Sequence, residues 1–152
     1  MTDEKSDLIG LSQSEIYESL IANDLIEVKD KFRAKQIWHW LYNKGETDFE
    51  KMSSISKELR SALPKFYKIK RPKIQTHEKS IDGTQKWLFK LHDGNLLDTV
   101  FIPEDNRGTL CVSSQVGCTL NCTFCYTGTQ KLVRNLTSEE IISQVLVAKD
   151  EL

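Results

Sequence analysis

No apolar run in the 152 residues approaches the roughly 18–20 that a membrane-spanning helix needs, which excludes a helical span. Proline and glycine are scarce, at 3 and 7, and no low-complexity segment or internal repeat occurs. Collagen-like, linker-like and solenoid chains are therefore excluded. Neither GxGxxG nor GxxxxGK[ST] is present, so the chain carries no dinucleotide fingerprint and no phosphate loop. Its opening, "MTDEKSDLIGLSQSE", lacks both a basic start and an apolar stretch of the kind that directs export. The expected compartment is the reducing cytoplasm, where clustered thiols serve as metal ligands or redox groups more often than as structural disulfides.

Cysteine is also rare, at four, but all four fall within "CVSSQVGCTLNCTFCYTG", residues 111–128. Cys118, Cys122 and Cys125 form a CxxxCxxC triplet, and Cys111 stands seven residues before it. Disulfides among four crowded cysteines could pair in three ways and would close few useful loops. Zinc accepts four thiolates but usually takes them from two separated knuckles. An electron-transfer cluster commonly uses a CxxCxxC run with a fourth cysteine. Three thiolates at CxxxCxxC suit a cubane that leaves one iron open to a substrate or cofactor. His39, His77 and His92 match no metal spacing and are expected to be structural or surface residues.

The net charge of −1 conceals a strong asymmetry. Residues 1–30 carry 2 Lys against 8 Asp/Glu, residues 31–75 carry 12 Lys/Arg against 4, and residues 76–152 carry 7 against 10. The basic block is interleaved with Phe32, Trp38, Trp40, Tyr42, Phe66 and Tyr67. This pattern suits a nucleic-acid surface, and equally a solvated helical face over an ordinary aromatic core.

Periodicity divides the chain into an α-rich and a β-rich part. "SQSEIYESLIA" (12–22) predicts a helix capped by Ser12 with Glu15 closing a capping box. A second helix is predicted over 31–45, stopped by Gly45, and a third over 54–63, ending near Pro64. After Pro72, "KIQTHEKS", "QKWLFKLH", "NLLDTVFIP" and "GTLCVSSQ" read as strands, the first three joined by the turn signals "IDGT" and "HDGN". The last segment, 137–152, predicts a helix capped by Thr137 with Glu140, burying Ile141, Val145 and Ala148. A strand at 108–114, a loop and this helix are expected to form the first β/α unit of a parallel fold. One such unit cannot cover both faces of a parallel sheet, so the chain reads as the amino-terminal part of a longer protein. The expected division is 1–72, 73–103 and 104–152.

The string "CTLNCTFC" resembles the signature of radical S-adenosylmethionine enzymes. The longer "PEDNRGTLCVSSQVGCTLNCTFCYTG", followed by "RNLTSEEIISQV", is similar to the RlmN family of bacterial RNA adenine-C2 methyltransferases, as is "FRAKQIWHWLY" in the basic part. The related Cfr group, which methylates adenine C8, shares much of this pattern. The resemblance implies an α/β protein: a small basic helical RNA-binding domain, a β-hairpin segment and the start of a truncated radical-SAM (β/α) barrel. It also implies a 4Fe-4S cluster held by Cys118, Cys122 and Cys125, with S-adenosylmethionine on the open iron and Phe124 packed against that cofactor.

In the resemblance Cys111 is not a ligand. It forms a transient disulfide with a methyl-carrying cysteine that would lie beyond Leu152. Asp98 matches the family's general base, usually a glutamate, which removes the C2 proton. The implied partners are large-subunit rRNA, the tRNA adenosine beside the anticodon and an external electron donor such as flavodoxin, with no membrane. A non-catalytic RNA-binding module holding a structural metal cluster is the rival class.

Overall fold

Ser12 begins the first helix as its spacing predicts. In the computed structural model, which describes residues 5–120, 122–125 and 127–152, helix α1 spans Gln13–Ala22. The Ser12 hydroxyl accepts from the Glu15 N–H and the Glu15 carboxylate accepts from the Ser12 N–H, which satisfies two of the orphan donors of the first turn. The chain divides into two compact units, Met1–Lys70 and Arg71–Leu152.

In the first unit, α2 (Phe32–His39) continues into a wider turn over Trp40–Lys44, and Gly45 stops it in the left-handed conformation. The expected single helix over 31–45 thus changes hand-width midway, with the Gly45 and Glu46 N–H groups both turned back to the Trp40 carbonyl. Helix α3 covers Lys57–Phe66, starting later and ending later than predicted, with Pro64 inside its last turn. Tertiary contacts explain both shifts. Ser54 is held outside the helix by Gln36 and Trp40, while Leu63 and Tyr67, both buried, keep the chain helical past the proline. Strands β1 (Ser6–Asp7) and β2 (Tyr67–Lys68) pair in parallel and bring the two ends of the unit together. Leu8, Ile16, Leu20, Ile37, Leu41, Met52 and Leu63 fill its core, each fully excluded from water and each contributing about 1.5–3 kcal/mol by burial.

The second unit is built on an antiparallel meander of β3 (Lys73–Lys79), β4 (Gln85–Lys90), β5 (Leu96–Glu104) and β6 (Arg107–Cys111), paired in that order. The turn signals act as read. Asp82 accepts from the Thr84 N–H and Asp93 from the Asn95 N–H, fixing the two hairpin turns. Side chains alternate across the sheet. One face carries Trp87, Phe89, Leu97 and Thr99, all buried; Leu136, Val116 and helix α4 (Ser138–Glu151) cover that apolar cluster with Val147 and Ala148. Thr137 and Glu140 form the predicted capping box. Ile141 and Ala148 pack against the core as predicted, but Val145 is 43% exposed, and Ser143, Gln144, Leu146 and Val147 also face inward.

Among the described residues the fold is mixed α/β with four α-helices, one short parallel strand pair and two antiparallel sheets, and β6 enters it as part of the meander. The strand expected over 108–114 breaks after Cys111 and resumes as β7 (Gln115–Val116), which pairs antiparallel with β8 (Arg134–Asn135). A boundary between 103 and 104 would cut through β5. Among the described residues no helix is long and apolar enough to cross a membrane.

Candidate active site

The cysteine loop leaves the core at Val116 and returns at Arg134, its stems joined by the β7–β8 pair. Gly117, with φ of +76°, starts the loop where a Cβ would lie 2.1 Å from the Lys131 carbonyl oxygen. Only glycine accommodates both that backbone angle and that approach. At the far side, a Cβ on Gly128 would sit 2.7 Å from the Cys122 carbonyl oxygen, so the chain folds directly over Cys122. The Cys118 N–H donates to Gln130, the Cys125 N–H to Cys122 and the Gly128 N–H to Cys125, all backbone bonds of 3.0–3.2 Å.

Cys118, Cys122 and Cys125 are free and half-buried. The Leu120 N–H points at the Cys118 sulfur at 3.4 Å, the kind of contact that stabilises a thiolate ligand. Among the described residues no three His, Cys, Asp or Glu side chains are already drawn together as a metal centre. The donor set nevertheless fits an iron–sulfur cluster, since three soft thiolates in one short loop suit iron–sulfur better than hard cations. Phe124 stands at the loop's tip, 91% exposed. Asn121 and Tyr126 of the same motif lie outside the described residues.

Cys111 and Asp98 come together on the sheet face opposite α4. Cys111 pairs with Val100, and Asp98 is two residues from Val100, so both side chains project to one face as diagonal neighbours. Cys111 is exposed and free. Asp98 is half-exposed and forms an ion pair with Lys86 at 3.3 Å.

The sequence did not single out a set of polar residues that join these parts. Gln144, fully buried on α4, accepts from the Thr99 hydroxyl at 2.9 Å and from the Ser113 N–H at 2.8 Å, and donates to the Ser113 carbonyl at 2.9 Å. The Ser113 hydroxyl in turn donates to the Asp98 carbonyl at 2.8 Å. Arg134 donates to both carboxylate oxygens of Glu140 at 2.8 Å and, through Nε and Nη2, to Asp93. These bonds hold Asp93 down at about 2 and push Glu140 below the usual carboxylate range, against the opposing effect of its burial. His77 bonds Gln85 and stacks on Trp87, a structural role, while His92 is a surface residue 3.7 Å from Glu140. A signal for Gln144 was present: a glutamine on the inward face of an amphipathic helix breaks the apolar stripe, and buried amides are retained where they are fully bonded.

In the first unit the expected basic–aromatic surface is thinner than the sequence suggests. Tyr67 is core and bonds Ser19 and Asn23, and Tyr42 ties Gly10 to the second helix. Phe32 and Phe66 remain substantially exposed, with the Arg33 guanidinium 4.7 Å from the Phe32 ring and Lys31 and Lys35 facing solvent.

A glycine-pinned loop of three free thiols thus stands beside an antiparallel sheet and a capped helix. A crystal structure of a radical SAM methyltransferase from Sphaerobacter thermophilus is similar with a TM-score of 0.83 and 35% identity, over 96% of this chain and 42% of that one. Residues 6–69 match the family model described as the ribosomal RNA large subunit methyltransferase N-terminal domain. The dual-specificity RNA methyltransferase RlmN of Rhodopseudomonas palustris strain BisA53 is 54% identical over 97% of this chain, and that of Mesorhizobium japonicum 52% over 98%. Over nearly its whole length the chain is similar to these RlmN methyltransferases, and it spans 38% of the length of the two relatives.

Proposed function

We propose that this chain is the cluster-bearing amino-terminal portion of a dual-specificity RNA methyltransferase that methylates adenine C2 in large-subunit rRNA and in tRNA beside the anticodon. The observation that carries the reading is the loop of three free, half-buried thiols in a chain 54% identical to an enzyme of that name. Adenine C2 is an electron-poor aromatic carbon with no acidic proton, so polar methyl transfer has no route there. A 4Fe-4S cluster held by Cys118, Cys122 and Cys125 supplies one-electron cleavage of S-adenosylmethionine when bound. Phe124, an exposed ring between two of the ligands, covers the cofactor's apolar surface.

The sheet face carries the remaining chemistry of this chain. Asp98 accepts the C2 proton from the covalent adduct between the base and the methyl-carrying cysteine. The Cys111 thiolate then attacks that cysteine's sulfur, so that the S–S bond forms as the C–S bond to the base breaks and the released carbon takes up a proton to become the methyl group. In the complete enzyme the meander leads into a (β/α) barrel, and the first unit docks RNA through Lys31, Arg33, Lys35 and the exposed Phe32. The electron arrives from an external donor such as flavodoxin, in the cytoplasm.

The test is anaerobic reconstitution of the full-length protein, with iron and sulfide quantified and the spectrum followed as S-adenosylmethionine is added. Cys118→Ala, Cys122→Ala and Cys125→Ala should each lose the cluster, while Cys111→Ala keeps it and fails to release methylated RNA. Zinc in place of iron, or a ligand variant with a normal cluster, overturns the reading. Mass spectrometry of the modified adenosine separates C2 from C8 methylation.

A further inference from the structure

We propose that Glu140 and Gln144, one turn apart on α4, are positioning residues that clamp the two stems of the cysteine loop at once. The incoming stem is held at Ser113. Its N–H and its carbonyl both bond the Gln144 amide, at 2.8 and 2.9 Å, in place of a strand partner. This capture explains why the strand breaks between β6 and β7: the peptide that would continue the ladder is taken by a side chain. The outgoing stem is held at Arg134, whose guanidinium grips both oxygens of Glu140 and the Asp93 carboxylate of the β4–β5 turn.

The two grips are coupled. The Gln144 Nε2 also donates to the Glu140 carbonyl at 3.2 Å, and Glu140 is fixed by its own capping box with Thr137. Thr99 completes the arrangement by donating to the Gln144 Oε1 from the centre of the sheet. Every polar atom of the Gln144 amide is therefore used, and nearly all of its bonds bear on the loop stem or the helix turn that grips the other stem. An amide buried for packing alone would not need two bonds to one distant peptide group.

The clamp also reaches the sheet face used for proton transfer. The Ser113 hydroxyl bonds the Asp98 carbonyl, so the same peptide that is held by Gln144 fixes the backbone bearing Asp98. One helix turn thus sets the position of the thiol loop and of the carboxylate strand relative to each other. Only the statement that the loop carries a cluster rests on the function proposed above; the clamp stands on the hydrogen bonds alone.

The experiment is site-resolved amide hydrogen exchange on the full chain without iron, with the alkylation rate of Cys118 measured in parallel. Gln144→Met keeps the length and removes the amide. Arg134→Gln breaks the half-exposed guanidinium grip without opening the core. Leu146→Ala, a buried apolar truncation on the same helix, is the control. The expected result is that both clamp variants speed exchange at Cys118, Val133 and Leu136 by roughly tenfold or more relative to the Trp87 and Leu97 amides, and speed Cys118 alkylation likewise. The control should raise loop and sheet exchange together. Equal loosening of loop and sheet in the clamp variants, or an unchanged loop, overturns the proposal. If Gln144→Met does not fold, Arg134→Gln alone decides. The iron content of the wild-type protein reports separately on the cluster, so failure of that reading is distinguishable from failure of the clamp.

Discussion

Replacing Gly117 with alanine should open the cysteine loop, and the size of the effect follows from two separable costs. The φ of +76° is left-handed backbone, which costs an L-residue about 1–2 kcal/mol. The added Cβ would meet the Lys131 carbonyl oxygen at 2.1 Å and its carbon at 2.8 Å, and neither can rotate away. The stems must separate, which strains the Cys118 N–H to Gln130 bond of 3.2 Å and the Val133 N–H to Val116 bond of 2.8 Å. Losing both adds about 1–3 kcal/mol. Gly94 is the matched control: its φ is +85°, but a Cβ there meets nothing within 4 Å, so Gly94→Ala carries the backbone cost alone. Amide exchange at Cys118 and Val133 should therefore rise about ten- to hundredfold more in Gly117→Ala than in Gly94→Ala. The cluster content after reconstitution should fall in the first variant and hold in the second. Indistinguishable behaviour of the two would refute the assignment of the Lys131 contact as the reason for glycine at 117.

Asp98→Asn keeps the shape of the side chain but removes its proton-accepting power. It should leave cluster assembly intact and accumulate RNA covalently attached to protein on a denaturing gel, whereas normal turnover would move the base elsewhere. Charge reversal of Lys31, Arg33 and Lys35 together should weaken RNA binding and reduce its salt slope, which is about 0.7–0.9 log units per neutralised phosphate for each tenfold rise in salt; a filter-binding salt series that is unchanged would return this helix face to solvent. Acid should loosen the start of α4. Arg134 depresses the folded-state values of Asp93 and Glu140, so their stabilisation is complete above the ordinary carboxylate range and is lost as pH falls from about 4 towards about 2. Urea melts across that window should show a steeper acid loss in the wild type than in Arg134→Gln.

Helix starts at Ser12 and Thr137 were legible because a capping box is local chemistry, complete within four residues. The hairpin turns were legible for the same reason, since Asp82 and Asp93 bond groups two residues away. Features set by distant partners were not. The extension of α3 through Pro64 depends on burial of Leu63 and Tyr67 against the rest of its unit. The early end of the strand after Cys111 depends on Gln144, thirty-one residues downstream of Ser113. The surface position of Val145 follows from the same bonds, which turn Gln144 to the sheet. Within the candidate site, spacing identified the three thiols, whereas the common sheet face of Asp98 and Cys111 required a register that only strand pairing supplies.

The meander has a consequence for the order in which this unit forms. Its strand pairs are nearest neighbours in sequence, joined by turns of a few residues, so each costs little loop-closure entropy. The Thr99 to Gln144 bond spans 45 residues and encloses the whole cysteine loop. Low contact order favours the sheet appearing first, as each hairpin leaves the ribosome, with the thiol loop open until α4 has been synthesised and docked. During that interval the loop stems lack their grip while all four thiols are already present. Pulse-labelled exchange during refolding should show Trp87 and Leu97 protected before Ser113; simultaneous protection would mean that sheet and helix form in one step. On the proposed function, insertion of the cluster is then a late event, gated by the arrival of a helix that contributes no ligand.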